Sequence, residues 1–195
     1  MMEPCRLAAT ELACRRGDRV LFSNLSLALE GGQALQVTGP NGTGKSSLIR
    51  ILAGLLRPFA GKVERAGSMA LVDERLALDE HLPLGVALGF WQKLDGCGAP
   101  DSALASLQVD DLLEVPVRFL STGQRKRAAL ARLLTARRKI WLLDEPLNGL
   151  DDQARGAVEA LLALHCGAGG IALVASHQPI ALPGQHSLHL PDFPA

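Results

Sequence analysis

Two stretches of this chain, Ile140–Leu143 and Ile171–Ala175, contain no polar residue at all. Short uninterrupted apolar runs of this kind predict strands buried on both faces, the pattern of a parallel sheet. Other runs follow a helical spacing. Leu48, Leu52 and Leu55 recur every three or four residues, so Lys45–Leu56 reads as a helix stopped by Arg57-Pro58. Ser121–Arg138 reads as a second helix, filled by Ala128, Ala129, Leu130, Ala131, Leu133 and Leu134. Leu84–Leu94 predicts a third, ended by the Gly96–Pro100 stretch. Asp101 is placed to cap a short helix to Leu107, a further one is expected over Asp110–Glu114, and Asp151 or Asp152 caps one through His165. Leu7–Cys14, Leu25–Leu29, Ala34–Thr38 and Met69–Val72 read as strands, and Ser187–Leu190 as an edge strand. Gly17-Asp18 and Gly31-Gly32 mark turns, Asp73–Pro83 a charged loop, and the tail from Pro191 a frayed end.

Apolar strands alternating with helices predict an α/β fold, a parallel sheet covered on both faces. Its first third offers strand, glycine-rich loop and helix, and its middle a small helical insertion. There is no internal repeat and no low-complexity segment.

Composition sharpens this picture. The 195 residues suit one domain with a real core. Aromatics are 4% and Tyr is absent, so the core rests on aliphatic side chains. Twenty basic residues balance twenty acidic ones, which gives no overall pull toward nucleic acid. Cys5, Cys14, Cys97 and Cys166 form no C-x-x-C pair and read as reduced apolar thiols rather than zinc ligands. Met1–Arg6 lacks the start of a signal peptide, and no window reaches the roughly 18 apolar residues of a membrane helix. A membrane role therefore goes through a partner.

The chemistry begins at Gly39-Pro40-Asn41-Gly42-Thr43-Gly44-Lys45-Ser46, a full match to G-x-x-x-x-G-K-[ST] between an apolar strand and a helix. Glycines there let successive N–H groups face a phosphate, and the helix start adds its positive dipole end. Lys45 would neutralise the β and γ phosphates, and the Ser46 hydroxyl would hold Mg²⁺. Ser47 completes the candidate loop. Downstream, Ile140–Leu143 ends in Asp144-Glu145. Asp144 is the candidate for the Mg²⁺ shell and Glu145 for the general base that polarises water. Alone, the pair also fits the solvated end of a strand; the upstream loop favours chemistry.

Leu120-Ser121-Thr122-Gly123-Gln124 then precedes Arg125-Lys126-Arg127. Here the chain resembles the ATP-binding-cassette (ABC) family, whose signature is L-S-G-G-Q at a helix start, with Thr122 replacing its first glycine. Leu150-Asp151 matches that family's D-loop, and Ser176-His177 its switch histidine. The resemblance spans the whole chain, with these motifs in order. It implies a P-loop NTPase fold with an N-terminal antiparallel β portion, a core over 1–75 and 126–195, and a helical subdomain around 76–125. It also implies Mg²⁺-dependent ATP hydrolysis by a head-to-tail homodimer. Lys45, Glu145 and His177 would act on the phosphate, while Ser121, Gly123 and Gln124 would cap the nucleotide of the opposite subunit.

Two positions depart from the family. Its adenine-stacking aromatic near the start is replaced near Arg15, and its Q-loop glutamine falls within Asp73-Glu74-Arg75. Glu74 could still supply a hard oxygen to Mg²⁺. The Trp141–Pro146 run and Ser176-His177-Gln178-Pro179 are similar to the cytochrome c maturation (haem exporter) branch of the family. That resemblance implies CcmB- and CcmC-like integral membrane subunits as partners and a peripheral site on the cytoplasmic face of the bacterial inner membrane. Haem itself would not bind, consistent with the lack of a C-x-x-C-H motif. An ATPase for a different cargo and a soluble ATP-driven switch are the competing readings.

Overall fold

The computed structural model describes residues 5–96, 101–182, 184 and 186–194. Cys97 lies outside them. The chain forms two compact units, one of Met1–Leu71, Arg138–Glu145 and Leu162–Ala195, the other of Val72–Arg137 and Pro146–Leu161.

In the first unit, β1 (Arg6–Arg16) and β2 (Arg19–Glu30) form a long antiparallel hairpin, and β4 (Ala60–Ala66) joins the other edge of β1. A second sheet runs in the order β5 (Met69–Val72), β6 (Ile140–Asp144), β7 (Ile171–Ala175), β3 (Ala34–Thr38), β8 (His186–His189). The β6–β7, β7–β3 and β3–β8 pairs are parallel. Every residue of β6 and β7 is buried, as their unbroken apolar character requires. Helix α1 (Lys45–Leu52) buries Leu48, Ile49, Ile51 and Leu52 in the core that also holds Phe22, Leu25, Ile140 and Leu142.

Two expectations change here, and one strand is new. Helix α1 stops at Leu52, not Leu56. The Arg65 guanidinium takes the carbonyls of Ile51 (2.7 Å) and Leu52 (2.6 Å), which a longer helix would have used. Strand β4 carries little apolar signal; its backbone pairing with β1 makes it a strand. The tail is docked rather than frayed. Ser23 donates its N–H to Phe193 O (3.2 Å) and its hydroxyl to Pro194 O (2.6 Å), and Leu190 is buried.

The second unit contains α2 (Leu84–Asp95), α3 (Asp101–Ser106) and α4 (Thr122–Thr135). The expected helix over Asp110–Glu114 is a 3₁₀ turn over Asp110–Leu112. Leu84, Ala87 and Leu88 of α2 are buried, as are Ala128, Leu130 and Ala131 of α4. The other face of α2 exposes Val86, Phe90 and Leu94. Helix α5 (Asp152–Gly167) begins in this unit and ends in the first. Among the described residues, no helix is long and apolar enough to cross a membrane.

Candidate functional site

Register decides what meets at the strand ends. Val37 pairs with Ala175, and Ala175 with Asp144, so β3, β7 and β6 finish in one row. The chain leaves that row as Thr38-Gly39, Ser176-His177 and Glu145. The carboxyl ends of parallel strands are where such sheets bind ligands.

The loop after β3 is built for close backbone approach. Gly39, Gly42 and Gly44 have φ of 142°, 81° and 110°. A Cβ at Gly44 would also stand 3.2 Å from the Phe22 ring. Thr43 donates its hydroxyl to Pro40 O (2.9 Å), and Leu48 its N–H to Gly44 O (2.8 Å), which starts α1. Pro40, Asn41, Gly42 and Ser46 are exposed, whereas Lys45 is 6% exposed and lies back under the loop. Its ammonium donates to Gly39 O (2.9 Å) and Pro40 O (3.3 Å).

Glu145 follows β6 with a φ of 48° and donates its N–H to Ala175 O (2.8 Å). This left-handed step ends the strand and turns the carboxylate inward. Oε1 lies 3.6 Å from Lys45 Nζ, and Oε2 accepts from His177 Nδ1 at 3.0 Å. A carboxylate only accepts, so Nδ1 is the ring nitrogen that carries the proton. Asp144, 4% exposed, closes β6 beside this group. Ser47, at the base of the loop, hydrogen-bonds the buried Cys14 thiol; burial nonetheless pushes that thiol's pKa up.

These residues fit a nucleoside triphosphate with Mg²⁺. The donor set is a glycine-cleared loop, a buried ammonium and a helix start, and the hard oxygens are the Ser46 hydroxyl and the Asp144 carboxylate. Sequence reasoning missed one polar side chain here. Gln36, in the middle of β3, is 4% exposed; Ser176, after β7 and named in the sequence beside His177, is 0% exposed. A lone glutamine inside the apolar run Ala34–Val37 was the available signal.

Ser121, Gly123 and Gln124 lie in the second unit, where Ser121 and Gln124 serve one another. Ser121 Oγ accepts from the Gln124 N–H (3.3 Å), and Gln124 Oε1 from the Ser121 N–H (2.8 Å), a capping box at the start of α4. A Cβ at Gly123 would stand 2.5 Å from Gly149 O, so that glycine is required by packing. Asp151, not Asp152, caps α5 by accepting from the Ala154 N–H (2.8 Å). Asp73 Oδ1 accepts from the Arg75 N–H (2.9 Å), which turns the loop and leaves Glu74 exposed. In the first unit, the Arg15 guanidinium lies 4.6 Å above the ring of the exposed Phe59.

The ABC transporter family matches residues 22–148. A protein of Novosphingobium aromaticivorans described as the cytochrome c biogenesis ATP-binding export protein CcmA is 58% identical over 196 residues, covering 98% of this chain and 99% of its own. Its counterpart in Zymomonas mobilis is 50% identical, over 97% of this chain and 86% of its own. Among solved structures, an inward-facing metal-chelate type ABC transporter superposes with a TM-score of 0.78 at 26% identity, covering 98% of this chain and 82% of that one. An ABC transporter ATP-binding protein of Pyrococcus furiosus gives a TM-score of 0.83 at 21% identity, which speaks for the fold, over 97% of this chain and 100% of that one. The chain belongs to the ABC transporter family, within the group of cytochrome c biogenesis ATP-binding export proteins that these curated relatives represent.

Proposed function

We propose that this protein is the ATP-hydrolysing subunit of a cytochrome c biogenesis export complex. The observation that carries the catalytic part is the Glu145 carboxylate, which meets both Lys45 Nζ and His177 Nδ1 at the ends of the parallel strands. A triphosphate entering the loop replaces Gly39 O and Pro40 O as acceptors for Lys45, because an anion outbids a neutral carbonyl for an ammonium. Loop amides and Lys45 hold the β and γ phosphates. Glu145 polarises the attacking water, while His177 steadies the carboxylate and orients the γ-phosphate. Mg²⁺, held by Ser46 and Asp144, would supply charge neutralisation on the phosphate oxygens.

One chain carries one set of motifs, which supports a head-to-tail homodimer with Ser121, Gly123 and Gln124 acting across it. The Arg15–Phe59 pair offers a flat cation and ring on which adenine can stack. Integral membrane subunits of the CcmB and CcmC type are the partners, and the cytoplasmic face of the bacterial inner membrane the location. The apolar hollow of about 760 Å³ lined by Leu82, Val86, Phe90 and Trp91 is a fitting surface for such a partner. Neither nucleic acid nor haem contact is part of this reading, and residues 76–125 form its helical subdomain.

Glu145→Gln is the test of the site. Turnover should fall about 100-fold or more while ADP binding persists; unchanged turnover removes Glu145 as the base. Affinity purification from solubilised membranes tests the complex. Recovery of CcmB- and CcmC-like proteins supports it, other integral proteins overturn the cargo, and a chain recovered alone overturns the transporter role.

A further inference from the structure

Gln36 is a polar side chain in a place that otherwise excludes them. It sits on β3, between the parallel neighbours β7 and β8, with Leu35 and Val37 buried beside it. Burying an amide is costly unless its hydrogen bonds are made. Here the Nε2 group donates to Gln178 O at 2.8 Å. Gln178 follows His177 directly. The other flank of the histidine is held as firmly: Ser176 donates its N–H to Val37 O (3.1 Å), and its Oγ accepts from the Gln178 N–H (3.0 Å). His177 itself is exposed, and its ring touches Glu145. Its backbone is thus fixed by β3, the same strand that runs three residues on into Gly39 and the phosphate loop.

We infer that Gln36 is a positioning residue for catalysis, whose amide tether to Gln178 O holds the His177 imidazole against Glu145. A strand made only for packing would place an aliphatic residue at this site, as it does on both sides. The tether touches neither nucleotide nor metal, so its loss should leave binding intact and slow the chemical step. This inference rests on the role proposed above for His177.

The test is Gln36→Met in the full chain, which keeps side-chain length and removes the donor. Steady-state ATPase, ADP calorimetry and imidazole NMR are read together. The loss of one such bond predicts a kcat about tenfold lower, with ADP affinity within about twofold of the parent. The His177 resonance, identified by its absence in His177→Ala, should move while those of His81 and His165 stay. In the His177→Ala background, Gln36→Met should cost nothing more. An unmoved His177 resonance, or the same tenfold loss without the histidine, overturns the tether. Normal turnover in His177→Ala alone would instead remove the catalytic role of that histidine, and the resonance shift still decides the tether. Should Gln36→Met not fold, Gln36→Glu keeps the shape. Burial raises the pKa of a carboxyl there, and only its protonated form can donate to the carbonyl. Its turnover relative to wild type should therefore rise as pH falls; a ratio independent of pH overturns the inference.

Discussion

Lys45 lies under the loop it serves, its ammonium held by Gly39 O, Pro40 O and the Glu145 carboxylate. Hydrogen bonds to a charged group contribute about 1.5–3 kcal/mol. Lys45→Ala should therefore weaken ADP binding by roughly 10- to 100-fold in calorimetry, with the fold kept, because the two carbonyls lie in an open loop that water can reach and Glu145 keeps His177 as a partner. His165 makes a different prediction. Its ring stacks on Trp141 at 3.8 Å and 8°, and its Nε2 donates to Ile171 O at 3.2 Å. Burial holds its pKa below the ordinary 6.5, against the pull of the Ile171 and Lys139 carbonyls. The unfolded chain then binds a proton that the folded one refuses, so this contribution to stability is complete above about pH 6.5 and declines as pH falls from there. The urea midpoint should drop between pH 7.5 and 5.5, and by less in His165→Phe, which keeps the stacking. Lys45 and Glu145 were legible as residues, because motif and spacing name them. Their shared contact was not, since 100 positions separate them.

At the scale of elements, boundaries show what sequence can and cannot specify. The start of α4 was written in Ser121 and Gln124, three residues apart, because a capping box is local chemistry. Ser121→Ala removes an acceptor from the first turn and should cost about 1 kcal/mol. Faster hydrogen exchange at the Gln124 amide would register it; unchanged protection would mean that packing alone holds the helix start. The end of α1 was not local. Leu55 continues the helical spacing, yet Arg65 claims the last carbonyls from another strand. Strand β4 escaped notice for the same reason: Gly61, Lys62 and Glu64 carry no apolar alternation, and only an open edge of β1 organises them.

For the molecule as a whole, the parallel registers matter most. Every side chain of β6 and β7 is enclosed, so a cavity there has nowhere to collapse. Leu142→Ala should lower stability by about 2–5 kcal/mol in urea unfolding, followed by the first unit's own signals. A cost under 1 kcal/mol would mean that the sheet relaxes around the gap.

Sequence alone determined the class of fold, and it picked out the glycine-rich loop after β3, the acidic pair after β6 and the histidine after β7. Each of these is a short run whose residue types already state their physics: apolar strands demand two covers, glycines permit a curled backbone, and charged or polar groups that directly follow a buried strand stand at the sheet's end. Tertiary structure decided which of them touch. The register of β3, β7 and β6 brought Gly39, His177 and Glu145 to one edge, Ser23 captured the tail at Phe193 and Pro194, and Gln36 reached Gln178 across the sheet. These contacts join residues 32 to 171 positions apart. No local pattern encodes such partners, because they are selected by burial and by the need to satisfy polar groups once the sheet has closed over them.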